Sequence, residues 1–146
     1  MFSGAVVVGV DGGADSVRAL EWAAEYAPSI GAPLVALTVY EPATMAGPYA
    51  MAGWEDPAEL EKAARATLTD TVERALGAGA EVDLLVQRGQ PADALITASD
   101  EAKAIVVGSR GRGGFTGLLL GSVSQQVIAH ARCPVVVLPR ETGSDR

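Results

Sequence analysis

Residues 104–131 read AIVVGSRGRGGFTGLLLGSVSQQVIAHA, and the architecture of the chain follows from their order. Ala104 to Val107 is a short, apolar, β-branched run, the pattern of a buried strand. A loop with glycines at 108, 111, 113, 114 and 117 follows, with Arg110 and Arg112 among them. Beyond Gly121-Ser122, the apolar residues Val123, Val127 and Ala131 recur every four positions, which is one face of a helix. The unit is strand, glycine loop, helix. A helix start leaves backbone N–H groups unpaired and carries partial positive charge. Glycines let that backbone approach a ligand closely. Together they suit an anion, phosphate above all. Ser122 and Ser124 add hydroxyls in the first turn, and Arg110 and Arg112 add charge. The spacing is Gly108-x-x-Gly111, nine residues, then Gly121-Ser122. It is neither the P-loop, which needs Gly-Lys-Ser/Thr, nor the G-x-G-x-x-G of dinucleotide-binding folds. A glycine-rich surface loop without a ligand is the plain alternative.

Similar punctuation extends outward on both sides. Downstream, Arg132-Cys133-Pro134 turns the chain into a final strand, Val135 to Leu138, and the polar tail from Arg140 to Arg146 is expected to fray. Upstream lies a helix opened by Pro91, with Leu95, Ser99 and Ala102 in register, preceded by a strand over Glu81 to Gln87 and Arg88-Gly89. Before these, Asp56-Pro57-Ala58-Glu59 has the pattern of a helix start. Leu60, Ala64, Leu68, Thr71 or Val72, and Ala75 keep one face to about residue 76, and Gly77 and Gly79 close it.

Residues 41–55, EPATMAGPYAMAGWE, show no period and hold two prolines. A connection this long suggests a mobile or binding loop. Its Met45, Tyr49, Met51 and Trp54 either cover a ligand or pack over the sheet edge. Strand two spans Leu34 to Tyr40. The N-terminal run 5–10, AVVVGV, is too continuously apolar for a half-exposed strand and fits a parallel strand buried on both faces. Asp11-Gly12-Gly13 turns the chain, Asp15 or Ser16 is expected to cap a helix carrying Val17, Leu20, Ala24 and Ala27, and that helix should stop before Pro28 to Gly31. Asp11 thus falls at the carboxyl end of strand one, where open α/β sheets bind ligands. Its carboxylate serves either a ligand or its own turn.

The order β-α-β-α-β-α-β-α-β predicts an α/β fold: one domain over residues 1–146, a doubly wound, five-stranded parallel sheet with helices on both faces. At 146 residues and 49% hydrophobic content the chain can build a substantial core. A formal charge of −7 disfavours nucleic acid as a partner. No apolar run reaches the length of a membrane span, and no basic leader precedes an apolar core. A single cysteine, Cys133, precludes an internal disulfide. The cytoplasm is the expected location. His130 and Cys133 are three apart, but two residues do not make a four-coordinate metal site, and none is assigned.

In these features the chain resembles the universal stress protein family nearly end to end. The resemblance rests on VVVGVDGG, the long loop after strand two, VVGSRGRGGFTGLLLGSVSQQV and HARCPVVVLP. The glycine spacing is similar to that of the family's ATP-binding branch. The resemblance implies a sheet order of 3-2-1-4-5, with strand one and the glycine loop facing each other at the switch point. It also implies roles. Asp11 would accept from the ribose hydroxyls, the Val39 backbone would read the adenine edge, and Val107 and Gly108 would line base and sugar. Gly111, Gly121, Ser122, Val123 and Ser124 would donate to the phosphates. Arg110 and Arg112 join them on grounds of charge. The implied cofactor is ATP, with Mg2+ or Mn2+ held by its phosphates.

The implied assembly is a homodimer paired antiparallel through Val135 to Leu138, an apolar edge that needs covering. The expected function is that of an ATP-dependent stress or signalling protein. The alternatives are slow ATP hydrolysis, a preference for cyclic AMP, or an interaction module with an empty pocket. No catalytic residue is assigned, because no base is recognisable near the loop. A nucleotidyl transferase of related fold would need a histidine-rich motif after strand one, where Asp11-Gly12-Gly13 stands.

Overall fold

The structure is a computed structural model that describes residues 2–41, 56–109 and 120–139. Five strands and four helices alternate: β1 (Val6–Gly9), α1 (Ala14–Ser29), β2 (Leu34–Tyr40), α2 (Pro57–Leu76), β3 (Asp83–Arg88), α3 (Pro91–Ala98), β4 (Ala104–Gly108), α4 (Ser122–His130) and β5 (Val135–Leu138). The strands form one sheet in the order β3-β2-β1-β4-β5. Every pairing is parallel, with Val6 opposite both Leu34 and Ala104, and Val106 opposite Val136. This is the architecture expected from the sequence.

The apolar runs explain the layering. Successive strand residues face opposite sides, so a strand covered on both sides must be apolar throughout. Val6 and Val8 face one layer, with Ala19, Leu20, Ala23 and Ala27 of α1 and Leu68 and Val72 of α2. Val7, Leu37, Ile105 and Val107 face the other, with Leu95 and Ala98 of α3 and Val127 of α4. Val6, Val7 and Val8 are fully buried, each stabilising the fold by about 2 kcal/mol through lost apolar surface. Because α1 and α4 leave neighbouring strands for opposite layers, the chain parts between β1 and β4. That parting is the switch point of the sheet.

Helix ends follow local chemistry. Asp56 caps α2 by accepting from the Ala58 N–H at 3.1 Å, Pro57 sits in the first turn, and Gly77 closes the helix at φ +84°. The start of α1 differs from the expectation that Asp15 or Ser16 would cap it. Gly13 is the N-cap, with no side-chain cap bond, because the Ser16 hydroxyl is bonded to the Asp11 carboxylate instead. The same helix runs through Pro28 to Ser29 rather than stopping short. Its end is tied off by Ile30 N–H to Ala27 O, Gly31 N–H to Pro28 O and Ala32 N–H to Ala27 O, with Gly31 at φ +68°. Strand β3 starts at Asp83 rather than Glu81, since the Val82 N–H closes a tight turn onto Ala80 O. No helix among the described residues is long and apolar enough to cross a membrane.

Candidate functional site

Since all five strands run the same way, their carboxyl ends share one edge, and Asp11, Val39, Gly108 and the start of α4 gather there. The α4 end is built first by backbone. Gly121 is the N-cap in extended conformation, and no side chain caps the helix. The Gly121 N–H donates to Ser109 O at 2.7 Å, and the first intrahelical bond runs from Gln125 N–H to Gly121 O. This leaves the N–H groups of Ser122, Val123 and Ser124 without backbone partners among the described residues. Three donors therefore point out of the first turn.

The side chains there divide. Ser124 is buried, and its hydroxyl donates to Gly108 O at 2.7 Å, fastening α4 to the end of β4. What remains to it for an anion is its backbone N–H, rather than the hydroxyl expected from the sequence. Gly121 likewise has its N–H engaged, contrary to the donor role expected of it. Gln125 folds back so that Nε2 donates to Leu120 O at 2.9 Å. Ser122 is exposed. Val123 packs partly against the core layer between α3, α4 and the sheet, so only its backbone faces the edge.

Opposite, the Asp11 carboxylate accepts from the Gly13 N–H at 2.9 Å and from the Ser16 hydroxyl at 2.7 Å, both through Oδ1. The Asp11 N–H in turn donates to the Ser16 hydroxyl at 2.8 Å. The turn function weighed for Asp11 is present, and it fixes the carboxylate in place at the strand end. Close packing joins the two halves. A Cβ at Gly108 would lie 2.5 Å from Asp15 Cβ, so the first turn of α1 rests directly on the β4 backbone. Val107 is buried on the opposite face of the sheet, toward α3 and α4.

Val39 presents its backbone in a particular way. In a parallel ladder, alternate residues turn their N–H and C=O to opposite neighbours. Tyr40 O accepts from Gly89 on the β3 side, and Leu37 O accepts from Val10 on the β1 side. Val39 therefore faces the β1 side, beyond the last pair, Gly9 with Leu37. The Val10 carbonyl that would have met it is taken by the Thr38 hydroxyl at 2.7 Å. Among the described residues the Val39 N–H and C=O have no backbone partner on the side facing the switch point.

Arg110, Gly111 and Arg112, with the loop from 42 to 55 and the tail from 140, lie outside the described residues. His130 falls in the last turn of α4, and Cys133 beyond it, where burial pushes its thiol pKa up. Both are at the far end of the helix from the site. No group of three or more His, Cys, Asp or Glu side chains placed to hold a metal occurs among the described residues. Two side chains at the site were not singled out from the sequence as site residues: Ser16, which orients Asp11, and Ser109, which lies buried at the end of β4. The first had a signal, a serine five residues after a strand-end aspartate; the second had none beyond its place after Gly108.

Comparison with known proteins gives this geometry a family. The profile of the universal stress protein family matches residues 4–139. The chain belongs to that family. A universal stress protein of Mycolicibacterium smegmatis is 40% identical over 138 residues, which are 91% of this chain and 45% of the relative. The chain thus spans less than half the length of that relative. A solved universal stress protein in complex with cAMP is 32% identical, with a TM-score of 0.64 over 94% of this chain and 98% of the other. The universal stress protein from Archaeoglobus fulgidus in complex with dAMP is 26% identical, with a TM-score of 0.53 over 94% and 98%.

Proposed function

We propose that this chain binds an adenine nucleotide, with ATP the favoured ligand, across the switch point between β1 and β4. The observation that carries the reading is the set of three N–H groups at the start of α4 that have no backbone partner among the described residues, on the same edge as an oriented carboxylate and a strand end likewise unpaired among them. Each of these matches one part of a nucleotide. The Ser122, Val123 and Ser124 N–H groups suit phosphate oxygens at a helix N-terminus. The Asp11 carboxylate suits ribose hydroxyls. The Val39 N–H and C=O suit the hydrogen-bonding edge of adenine. Solved relatives that hold cAMP and dAMP support the nucleotide class. The arginines at 110 and 112, with Gly111, complete the phosphate end in this reading, and a divalent ion would be held by the phosphates themselves. Cyclic AMP is the second candidate, favoured by the cAMP-bound relative.

The nucleotide serves here as a signal rather than as a substrate, in a cytoplasmic stress-response protein that pairs as a homodimer through β5. Calorimetric titration with ATP, ADP and cyclic AMP tests the ligand. Gly121→Val tests the site. Gly121 has φ −76°, which valine tolerates, so the variant should fold while its branched side chain crowds the phosphate position. Loss of ATP binding with an unchanged circular dichroism spectrum is expected. Undiminished affinity would remove the α4 terminus from the site.

A further inference from the structure

Ser109 is 4% exposed, and its hydroxyl has no hydrogen-bond partner among the described residues. A buried hydroxyl left unpaired is destabilising, and such atoms are few in folded proteins. Its surroundings explain the vacancy. Ser109 continues the β4 ladder, its N–H donating to Leu138 O at 2.8 Å, so its side chain keeps the alternation of Ile105 and Val107 and falls on the face covered by α4. Its own carbonyl accepts the Gly121 N–H, and the neighbouring Gly108 carbonyl accepts the Ser124 hydroxyl. Those two carbonyls thus each accept a hydrogen bond from α4 and none from the Ser109 hydroxyl.

The imbalance has one sign. Among the described residues, three N–H groups of the α4 first turn and the adjacent Ser109 hydroxyl are all donors without an acceptor. A ligand that supplies only acceptor oxygens, and negative charge for the helix terminus, corrects all four at once. We infer that Ser109 is an additional phosphate-binding residue, its hydroxyl donating to an anionic oxygen seated on the N-terminus of α4. The inference rests on the proposed reading for the identity of the anion as a nucleotide phosphate, but not for the presence of an anion.

Ser109→Ala in the full chain is the test, titrated with ATP, with adenosine and with tripolyphosphate, alongside thermal melting without ligand. The variant should lose roughly tenfold in affinity for ATP and for tripolyphosphate, the scale of one hydrogen bond to a charged group. Adenosine affinity should stay within about twofold, since no phosphate is involved. The unliganded variant should melt no lower than the parent, because the hydroxyl it loses had no partner. Unchanged ATP and tripolyphosphate affinity, an equal loss for adenosine, or a lower melting temperature would each overturn the inference. If the parent chain binds tripolyphosphate but not adenosine, the adenine reading fails and the role of Ser109 is still decided on tripolyphosphate. A parent that binds neither overturns both.

Discussion

Gly108 shows what a single side chain would do at the switch point. A Cβ there would lie 2.5 Å from Asp15 Cβ and 3.3 Å from Asp15 O, and a Cβ atom next to the helix backbone cannot swing aside as the tip of a long side chain would. Gly108→Ala should therefore push the start of α1 outward and lower stability by about 1–3 kcal/mol, read as a lower urea midpoint with an unchanged m-value. A midpoint equal to the parent's would mean that α1 gives way freely. Residues of this kind were only partly legible in the sequence. Asp11 was placed because a carboxylate after an apolar run ends a strand. The partners that hold it were not, since spacing along the chain does not say which hydroxyl will prefer a carboxylate to its own helix end. Ser16 does so, and α1 is consequently capped by Gly13 backbone. Ser124 was read as a ligand donor because it stands in the first turn; the structure turns its hydroxyl inward to Gly108 O. Which way a serine faces depends on the strand beneath it.

At the scale of elements, the sequence carried more. The bounds of β2, α2 and β5 agree with the apolar periods and their Pro and Gly punctuation, because each boundary has a local cause: Asp56 and Pro57 open α2, and Gly77 at φ +84° closes it. Asp56→Ala removes the acceptor of the Ala58 N–H and should cost about 1 kcal/mol, seen as a fall in melting temperature with no change in nucleotide affinity, since α2 stands over β2 and β3, away from the start of α4. A loss of affinity would instead tie α2 to the site. The misjudged boundary of α1 has a physical cause as well. Proline within a last turn lacks only an N–H, and here the carbonyls around it are met by Ile30, Gly31 and Ala32.

For the molecule as a whole, alternation of strands and helices was enough to give the parallel class, but the order of the strands came from resemblance, because nothing local in β1 names β4 as its neighbour. The two edges of the sheet are β3 and β5. Every residue of β5 is only half buried, and an apolar edge of that kind favours pairing with another strand. If β5 forms the proposed homodimer seam, the parent should give dimers in light scattering and Val136→Lys, which places a charge in the middle of the strand, monomers; a dimer that persists in the variant would point to another surface. The central pairing has a different kind of consequence. Val6 lies opposite Ala104, so the two banks of the proposed nucleotide site are made at widely separated times during synthesis. As the ribosome works along the message, β1 can pair with β2 early, yet its other edge stays open until β4 is made. The proposed site is therefore assembled only after β4 and α4 have joined β1, and a nucleotide bound there, as proposed, would draw the population toward that folded state by mass action.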